Sequence, residues 1–242
     1  MSNRFDSRFQ MTPSSAFQPV PITAERATAF LRSVYGWMFV GLGITAAVAL
    51  GVSGSPTLVK AIFSNPILFF GLVIGELALV FILSARVQKM APSTASALFI
   101  AYSALNGATL SFIFLAYTAT SIASTFVITA GMFGALALYG STTKRSLAGV
   151  GHFVGMGLIG LVLASVVGMF WHASSLQFVI SVVGVIVFTG LTAWDAQRLK
   201  AMAAALPEGQ TGSYAVVGAL SLYLDFINLF LFLLRFLGGR RD

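Results

Sequence analysis

The 242-residue sequence contains no cysteine, and only 9% of its residues are charged. Without cysteine, disulfide bonds and thiol chemistry are excluded. The only two histidines, His152 and His172, are too few for the His/Cys ligand sets of zinc sites, and we expect them near the ends of one membrane span. Because soluble domains average about 25% charged residues, this composition indicates a membrane protein.

Charges are missing above all from two long stretches. No Asp, Glu, Lys or Arg occurs from Met90 to Thr143 or from Ser146 to Trp194. Each stretch is long enough for two transmembrane helices joined by a short turn. The sequence therefore predicts an all-α polytopic membrane protein surrounded by the lipid bilayer. Its net charge of +7 then reflects basic loops that face the cytoplasm and anionic lipid, and we expect no nucleic-acid partner.

Hydrophobic runs predict seven transmembrane helices. The predicted spans are Leu31–Val52, Ile67–Val87, Thr94–Tyr117, Ser121–Ser141, Leu147–Trp171, Leu176–Arg198 and Ser213–Phe236. They divide the chain into a cytoplasmic N-terminal tail (residues 1–28), a seven-helix transmembrane domain (29–238) and a C-terminal tail (239–242). The N-terminal tail contains no apolar core typical of a signal peptide.

The distribution of lysine and arginine predicts a cytoplasmic N-terminus. In that orientation the inner segments hold ten cationic residues: Arg4, Arg8, Arg26, Arg32, Arg86, Lys89, Lys144, Arg145, Arg198 and Lys200. The outer segments hold four: Lys60, Arg235, Arg240 and Arg241. The excess favours N-inside. Because the basic C-terminus fits the outer face poorly, six spans with a re-entrant last stretch and an inner C-terminus form the alternative.

The last span carries an acid, Asp225, near its middle. A charged carboxylate at the centre of a membrane helix costs about 2.5–3.5 kcal/mol on insertion scales. Gly218, Ser221, Asp225 and Asn228 follow helical spacing and form one polar stripe. We therefore predict that this helix is central, with the six others packed around it.

Glu76, Arg86 and Asp195 are further charged residues within or at the ends of spans. If Asp195 and Asp225 meet, burial and like charge favour one proton shared by the pair. A nearby Arg86 would favour the charged forms. This is the chemistry of a proton-biased latch, and a structural ion pair that fixes helix order is the alternative.

Mid-membrane polar residues are candidates for an ion path. Glu76 lies in the second span, Asn106 in the third and Asn228 in the last. A charged residue at this depth is expected to face a partner or a polar interior and not lipid.

Small residues indicate close helix packing. Gly43, Ala47 and Gly51 form a small-residue edge on the first span. The fifth span contains GMGLIG (155–160), which matches the dinucleotide-binding pattern GxGxxG. Because that pattern requires a preceding strand and a βαβ unit, we interpret it as a helix-packing motif.

Two motifs carry a family resemblance. They are Asp195-Ala-Gln197 in the sixth span and ALSLYLDFINLF (219–230) in the seventh, and Glu76 with the following LALVF adds to them. Over roughly residues 25–238 the chain resembles the Bax inhibitor-1 (TMBIM) family and its bacterial YetJ- and YccA-type members. The resemblance implies a multi-pass bacterial inner-membrane protein of seven helices with the last one central. It also implies a pH sensor in which Arg86 bridges Asp195 and Asp225, and a pH-dependent calcium leak.

Three functional hypotheses follow. The first is a calcium-permeable leak channel without a bound cofactor, in which Asp195 and Asp225 hold calcium only transiently, since carboxylates are ligands for hard cations. The second is a YccA-like regulator of a membrane protease or stress pathway, which would use the N-terminal tail for contact. The third, an intramembrane aspartyl protease, is disfavoured because the chain has Trp194-Asp195 and Tyr223-Leu-Asp225 and no Pro-Ala-Leu segment. We do not expect an enzyme.

Overall fold

The computed structural model describes residues 24–171, 173–206, 211–239 and 241. Within these ranges the helices are α1 (Ala24–Ser53), α2 (Pro56–Phe63), α3 (Pro66–Arg86), α4 (Pro92–Leu110), α5 (Ile113–Ala116), α6 (Ala119–Thr142), α7 (Ala148–Phe170), α8 (Ser174–Ala205) and α9 (Thr211–Leu237). A short 3-10 turn, Val87–Lys89, follows α3. Most of the predicted N-terminal tail, including Arg4 and Arg8, lies outside the described residues.

Seven of these helices are long and apolar enough to cross a membrane, within the part of the chain that the structure describes. The prediction of an all-α polytopic membrane protein is therefore confirmed. The last, α9, is one continuous helix of 27 residues, about 40 Å long, and not a re-entrant stretch. Because successive spans alternate in direction, the bundle has two faces. The first face is the one where α1 begins, and the second face is the one where α9 ends.

The last helix lies at the centre of the bundle, as predicted. In its apolar stretch 67% of the residues are buried, against at most 44% in any other described span. It packs against α1, α4, α6 and α8. At the first face Ser213 Oγ donates a hydrogen bond to the carbonyl oxygen of Met90 at 2.6 Å. At the second face the Gly239 amide donates to Ser121 Oγ at 2.9 Å, so both ends of α9 are tied to other helices.

The sixth span is longer than predicted. It was expected to end at Arg198, but α8 runs for 32 residues to Ala205. Leu199 and Ala203 are buried, and Leu199 packs directly over Gly218 of α9. Because the contact between α8 and α9 extends beyond Asp195 and Arg198, α8 stays helical beyond its predicted end. Asp195 therefore lies ten residues, about 15 Å, before the end of α8.

Close packing uses glycines other than those predicted. Gly43 and Gly51 have open space around them, so the predicted small-residue edge of α1 is wrong. Instead, a methyl group at Gly107 of α4 would overlap the backbone of Thr45 in α1, and one at Gly140 of α6 would overlap the backbone of Ala193 in α8. These contacts depend on which side of each helix faces a neighbour, which composition does not specify.

The GxGxxG segment lies within α7, which confirms that it is helical and not part of a βαβ unit. Only its middle glycine, Gly157, lies close to a neighbouring helix, opposite Val187 of α8. A methyl group added at Gly155 or Gly160 would meet no described atom within 4 Å, so one glycine of the three serves helix contact.

Seven crossings and the lysine and arginine distribution predict termini on opposite sides of the membrane, with the N-terminus in the cytoplasm. We expect alkaline phosphatase fused to the C-terminus to be active and green fluorescent protein fused there to be dark. Fusions after Thr143, on the first face, are the matched control and are expected to give the opposite result. A C-terminal reporter accessible only from the cytoplasm would contradict the prediction.

Candidate functional site

Two buried aspartates face each other where α8 and α9 pack together. Asp195 is 7% exposed and Asp225 is 5% exposed. Ser221 of α9 lies beside the Asp195 carboxylate of α8, and Asp225 follows one helical turn after Ser221. The two carboxyl groups interact electrostatically. The structure therefore brings together the two aspartates that the sequence singled out.

The arginine beside this acid pair is Arg198, and not Arg86. Arg198 Nη1 lies 3.4 Å from Asp195 Oδ1, and its charge also acts on Asp225. Its guanidinium lies over the ring of Trp194, 5.2 Å from the ring centroid. Because Arg198 follows Asp195 by three residues on the same helix, its side chain reaches the carboxylate without any rearrangement.

Arg86 is exposed at the end of α3 and contacts neither aspartate within the described part of the chain. The physical reason is its helix. α3 packs mainly against α4 at the edge of the bundle, and only 6% of the residues in its apolar stretch are buried. The bridge predicted for Arg86 is thus not made in this structure.

One oxygen of the acid pair is buried without a hydrogen-bond partner in the described part of the chain. Asp225 Oδ2 is buried and makes no hydrogen bond to any residue that the structure describes. A carboxylate oxygen removed from water without a hydrogen bond is costly when charged. This atom therefore marks a position where a proton or a cation would be stabilised.

Gln197, from the Asp195-Ala-Gln197 motif, fastens a loop at the first face. Its Nε2 donates to the carbonyl oxygen of Arg145 at 2.9 Å, and its Oε1 accepts from the amide of Leu147 at 2.8 Å. The glutamine thereby holds the link between α6 and α7 against α8, next to Arg198 in the chain.

Glu76 forms a second polar site between α3 and α4. It lies ten residues, about 15 Å, from either end of α3. Its carboxylate accepts hydrogen bonds from Asn106 Nδ2 at 3.1 Å and from Thr109 Oγ1 at 2.8 Å. The structure thus brings Glu76 and Asn106 together, and Glu76 faces hydrogen-bonding partners on α4.

A chain of polar contacts leads from this site across the bundle. The Tyr223 hydroxyl donates to Asn106 Oδ1 at 2.9 Å and lies 2.7 Å from Thr45 Oγ1, which donates to the carbonyl oxygen of Ser103 at 2.9 Å. Tyr223 and Thr45 carry one hydroxyl hydrogen each, so only two of these three contacts can be hydrogen bonds at once. The chain therefore has alternative hydrogen-bond patterns.

Neither Tyr223 nor Thr45 was predicted as a site residue. Tyr223 could have been found from the sequence, because it lies in the middle of a helix predicted to be central. A buried tyrosine hydroxyl there needs a hydrogen-bond partner. Thr45 had no such signal, since a threonine in a membrane helix commonly bonds its own backbone.

Asn228 belongs to neither hydrogen-bond network. Its Nδ2 donates to the carbonyl oxygen of Leu224 in its own helix, and its side chain lines a cavity of about 410 Å³ between α7, α8 and α9. Tyr223 and Asp225 are two residues apart, so their side chains leave α9 on nearly opposite sides. Of the predicted path residues, Glu76 and Asn106 are therefore brought together, whereas Asn228 lies apart from them at this cavity.

No three side chains of His, Cys, Asp or Glu converge as metal ligands within the described ranges. His152 is exposed, and its Nδ1 lies 2.8 Å from the carbonyl oxygen of Ala148. His172 lies outside the described residues. The acids that the structure describes inside the spans, Asp195, Asp225 and Glu76, thus form a pair and a single glutamate, and not a cage.

The sequence matches the protein family described as "Inhibitor of apoptosis-promoting Bax1" over residues 27–242. It is 52% identical to the inner membrane protein YbhL of Escherichia coli strain K12 over 215 residues, which cover 88% of this chain and 92% of YbhL. It is 41% identical over 216 residues to an uncharacterized protein of Rickettsia prowazekii, with 88% and 90% covered. It is also 40% identical over 216 residues to an uncharacterized membrane protein of Streptococcus pyogenes serotype M1, with 88% and 93% covered.

Proposed function

Because the chain belongs to the Bax inhibitor-1 family of membrane proteins, we propose that it is a pH-sensitive, calcium-permeable leak channel of the inner membrane. The name of the Escherichia coli relative supports the inner-membrane location. The observation that carries the proposal is the buried pair of Asp195 and Asp225, in which Asp225 Oδ2 has no hydrogen-bond partner among the described residues.

The pair is suited to act as a latch between α8 and α9. With one proton shared between the two acids, the remaining negative charge balances Arg198, and Ser221 of α9 lies beside Asp195. A second proton removes the charge that holds Arg198. Arg198 then keeps its stacking on Trp194 but faces no charged carboxylate of the pair. The closed arrangement therefore loses the charge contact between Arg198 of α8 and Asp225 of α9, and with it some stability. Acidification therefore favours the open state, since protons bind the two states differently.

The side-chain oxygens at these sites favour a cation as the permeant ion. Carboxylate, amide and hydroxyl oxygens are ligands for calcium, which takes six to eight oxygens at about 2.3–2.6 Å when bound tightly. Glu76 with Asn106 and Thr109 offers such oxygens in mid-membrane, as does the aspartate pair. Among the described residues, neither site has enough ligands to retain the ion, which suits passage and transient binding.

The proposal is tested by measuring ion flux into liposomes that contain the purified full chain, from pH 8 to pH 5, with calcium, magnesium, sodium and potassium in turn. We expect a calcium leak that rises as pH falls. Protein-free liposomes are the control. A chain that reconstitutes as a folded helical protein and conducts no cation at any pH would contradict the proposal and favour the regulator of a membrane protease.

A further inference from the structure

A second feature of the molecule, independent of the acid pair, is a large cavity at the second face. It measures about 920 Å³ and lies between the end of α9, the start of α8 and the segment around α5. Ligand sites are commonly about 300–1,000 Å³. The cavity is lined by both polar and aromatic side chains, so its two halves differ in chemistry.

The polar half contains two arginines. Arg235 Nη1 donates to Gln177 Oε1 at 3.2 Å, and Arg241 Nη1 donates to the carbonyl oxygen of Phe114 at 2.9 Å. A guanidinium has five N–H donors, so most donors of both groups form no hydrogen bond to the described residues. Among the residues that the structure describes, no carboxylate forms an ion pair with either arginine. The cavity therefore presents positive charge that is not balanced by these residues.

The apolar half contains aromatic rings. Phe178 and Phe236 lie against each other with ring centroids 5.6 Å apart, and both side chains are about half exposed. Phe112 and Tyr117 complete this wall. Aromatic side chains at the end of a membrane span lie at the depth of lipid headgroups and upper acyl chains. The cavity thus places positive charge beside an apolar surface at that depth.

The neighbouring cavity of about 410 Å³ shares Gln177 and Arg235 with the larger one. Apart from a few polar groups, it is lined by apolar side chains of α7, α8 and α9, among them Leu158, Val162 and Phe188. An apolar chain could therefore continue from the arginines toward the middle of the membrane.

We propose that this pair of cavities binds an anionic phospholipid of the phosphatidylglycerol type. Arg235 and Arg241 would bind the phosphate through charge-assisted hydrogen bonds. The aromatic wall and the smaller cavity would hold an acyl chain. A zwitterionic phospholipid carries a cation next to its phosphate, which the two arginines repel. A free phosphate ion shares the charge but makes no use of the apolar wall.

The test is a lipid titration of the purified full chain in detergent, followed by native mass spectrometry. Phosphatidylglycerol and phosphatidylcholine with identical acyl chains are compared. We expect the wild-type chain to retain phosphatidylglycerol preferentially, and Arg235→Gln to lower that retention about tenfold, as loss of a charged hydrogen bond predicts. Arg235→Lys, which keeps the charge, is expected to restore part of it.

Lys60→Gln is the matched control. It removes one cation from the same face of the bundle, at an exposed residue outside the cavity, and is expected to leave lipid retention unchanged. Equal retention of the two lipids, or undiminished phosphatidylglycerol retention by Arg235→Gln, would overturn the proposal. Displacement of the lipid by millimolar inorganic phosphate would overturn it too, because it would assign the arginines to a soluble anion.

Discussion

Replacing Asp195 by asparagine is expected to raise the calcium leak at pH 8 about tenfold, to its acid level, and to make it independent of pH. The amide keeps the size of the side chain and its contact with Ser221, but it removes the charge that faces Arg198. Loss of a charged hydrogen bond of this kind corresponds to about tenfold in an equilibrium constant. The measurement is calcium flux into liposomes from pH 8 to pH 5, for the variant and the wild-type chain.

Asp225→Asn is also expected to make the calcium leak independent of pH, but at the low level that the wild-type chain is expected to show at pH 8. Its amide can neither share a proton with Asp195 nor repel it, so Asp195 remains as the one acid of the pair, beside Arg198. With no second acid to share a proton, we expect the leak to stay low. The double variant is expected to behave like Asp195→Asn and no worse. A double variant that keeps the full pH dependence would rule out the pair as sensor, and His152 and His172 would be the next candidates.

Two arginine variants test whether Arg198 or Arg86 holds the acid pair in the closed state. Arg198→Gln is expected to give a high leak at every pH, because the acid pair then has no cation beside it. Arg86→Gln is the matched control and is expected to keep the wild-type profile, since its side chain is exposed at the end of α3. The reverse outcome would mean that Arg86 reaches the pair in the closed state.

Replacing Glu76 by glutamine is expected to lower calcium flux about tenfold while leaving the protein folded. Asn106 and Thr109 of α4 donate to different oxygens of Glu76, and the single amide oxygen of glutamine can accept one of these two hydrogen bonds. The negative charge that would attract a cation in mid-membrane is lost, and about 1.4 kcal/mol corresponds to tenfold in rate. Flux at pH 5, where the leak is largest, measures the effect, and circular dichroism on heating measures the fold.

Glu25→Gln is the control for the glutamate variant. Glu25 is exposed in the first turn of α1, so its loss removes one acid from the edge of the bundle and is expected to leave flux unchanged. Unchanged flux in Glu76→Gln would instead assign Glu76 a structural role, in which it fastens α3 to α4.

Most of the fold could be predicted because each span is a continuous apolar stretch. The predicted ends of the second span fall within one residue of α3, which is bounded by Pro66 and Arg86. The predicted end of the sixth span falls seven residues short, since α8 continues to Ala205. There the charges of Arg198 and Lys200 resemble a membrane boundary, whereas burial of Leu199 against α9 prolongs the helix.

The site could be predicted only in part. The cost of an acid in a membrane helix identifies Asp225 and Glu76 from the sequence alone. The choice of Arg198 over Arg86 required knowing which side of α3 faces the bundle, although the three-residue spacing from Asp195 to Arg198 was an available signal. The contact between Thr45 and Tyr223 joins residues 178 positions apart, and no local pattern predicts it.

The central position of α9 also constrains how the protein is made. Chains emerge from the ribosome with the N-terminus first, so the helix that fills the middle of the bundle is synthesised last. α1 and α4 can pack against each other earlier, through Gly107 and Thr45. The pair of α1 and α4 must then leave space for α9, or separate again so that α9, which carries Asp225, can enter between them and the other helices. α8 and α9 are adjacent in the chain, so they can enter the membrane as one hairpin. Asp195 and Asp225 would already lie side by side in it, so insertion would bring in the two acids together and not one at a time.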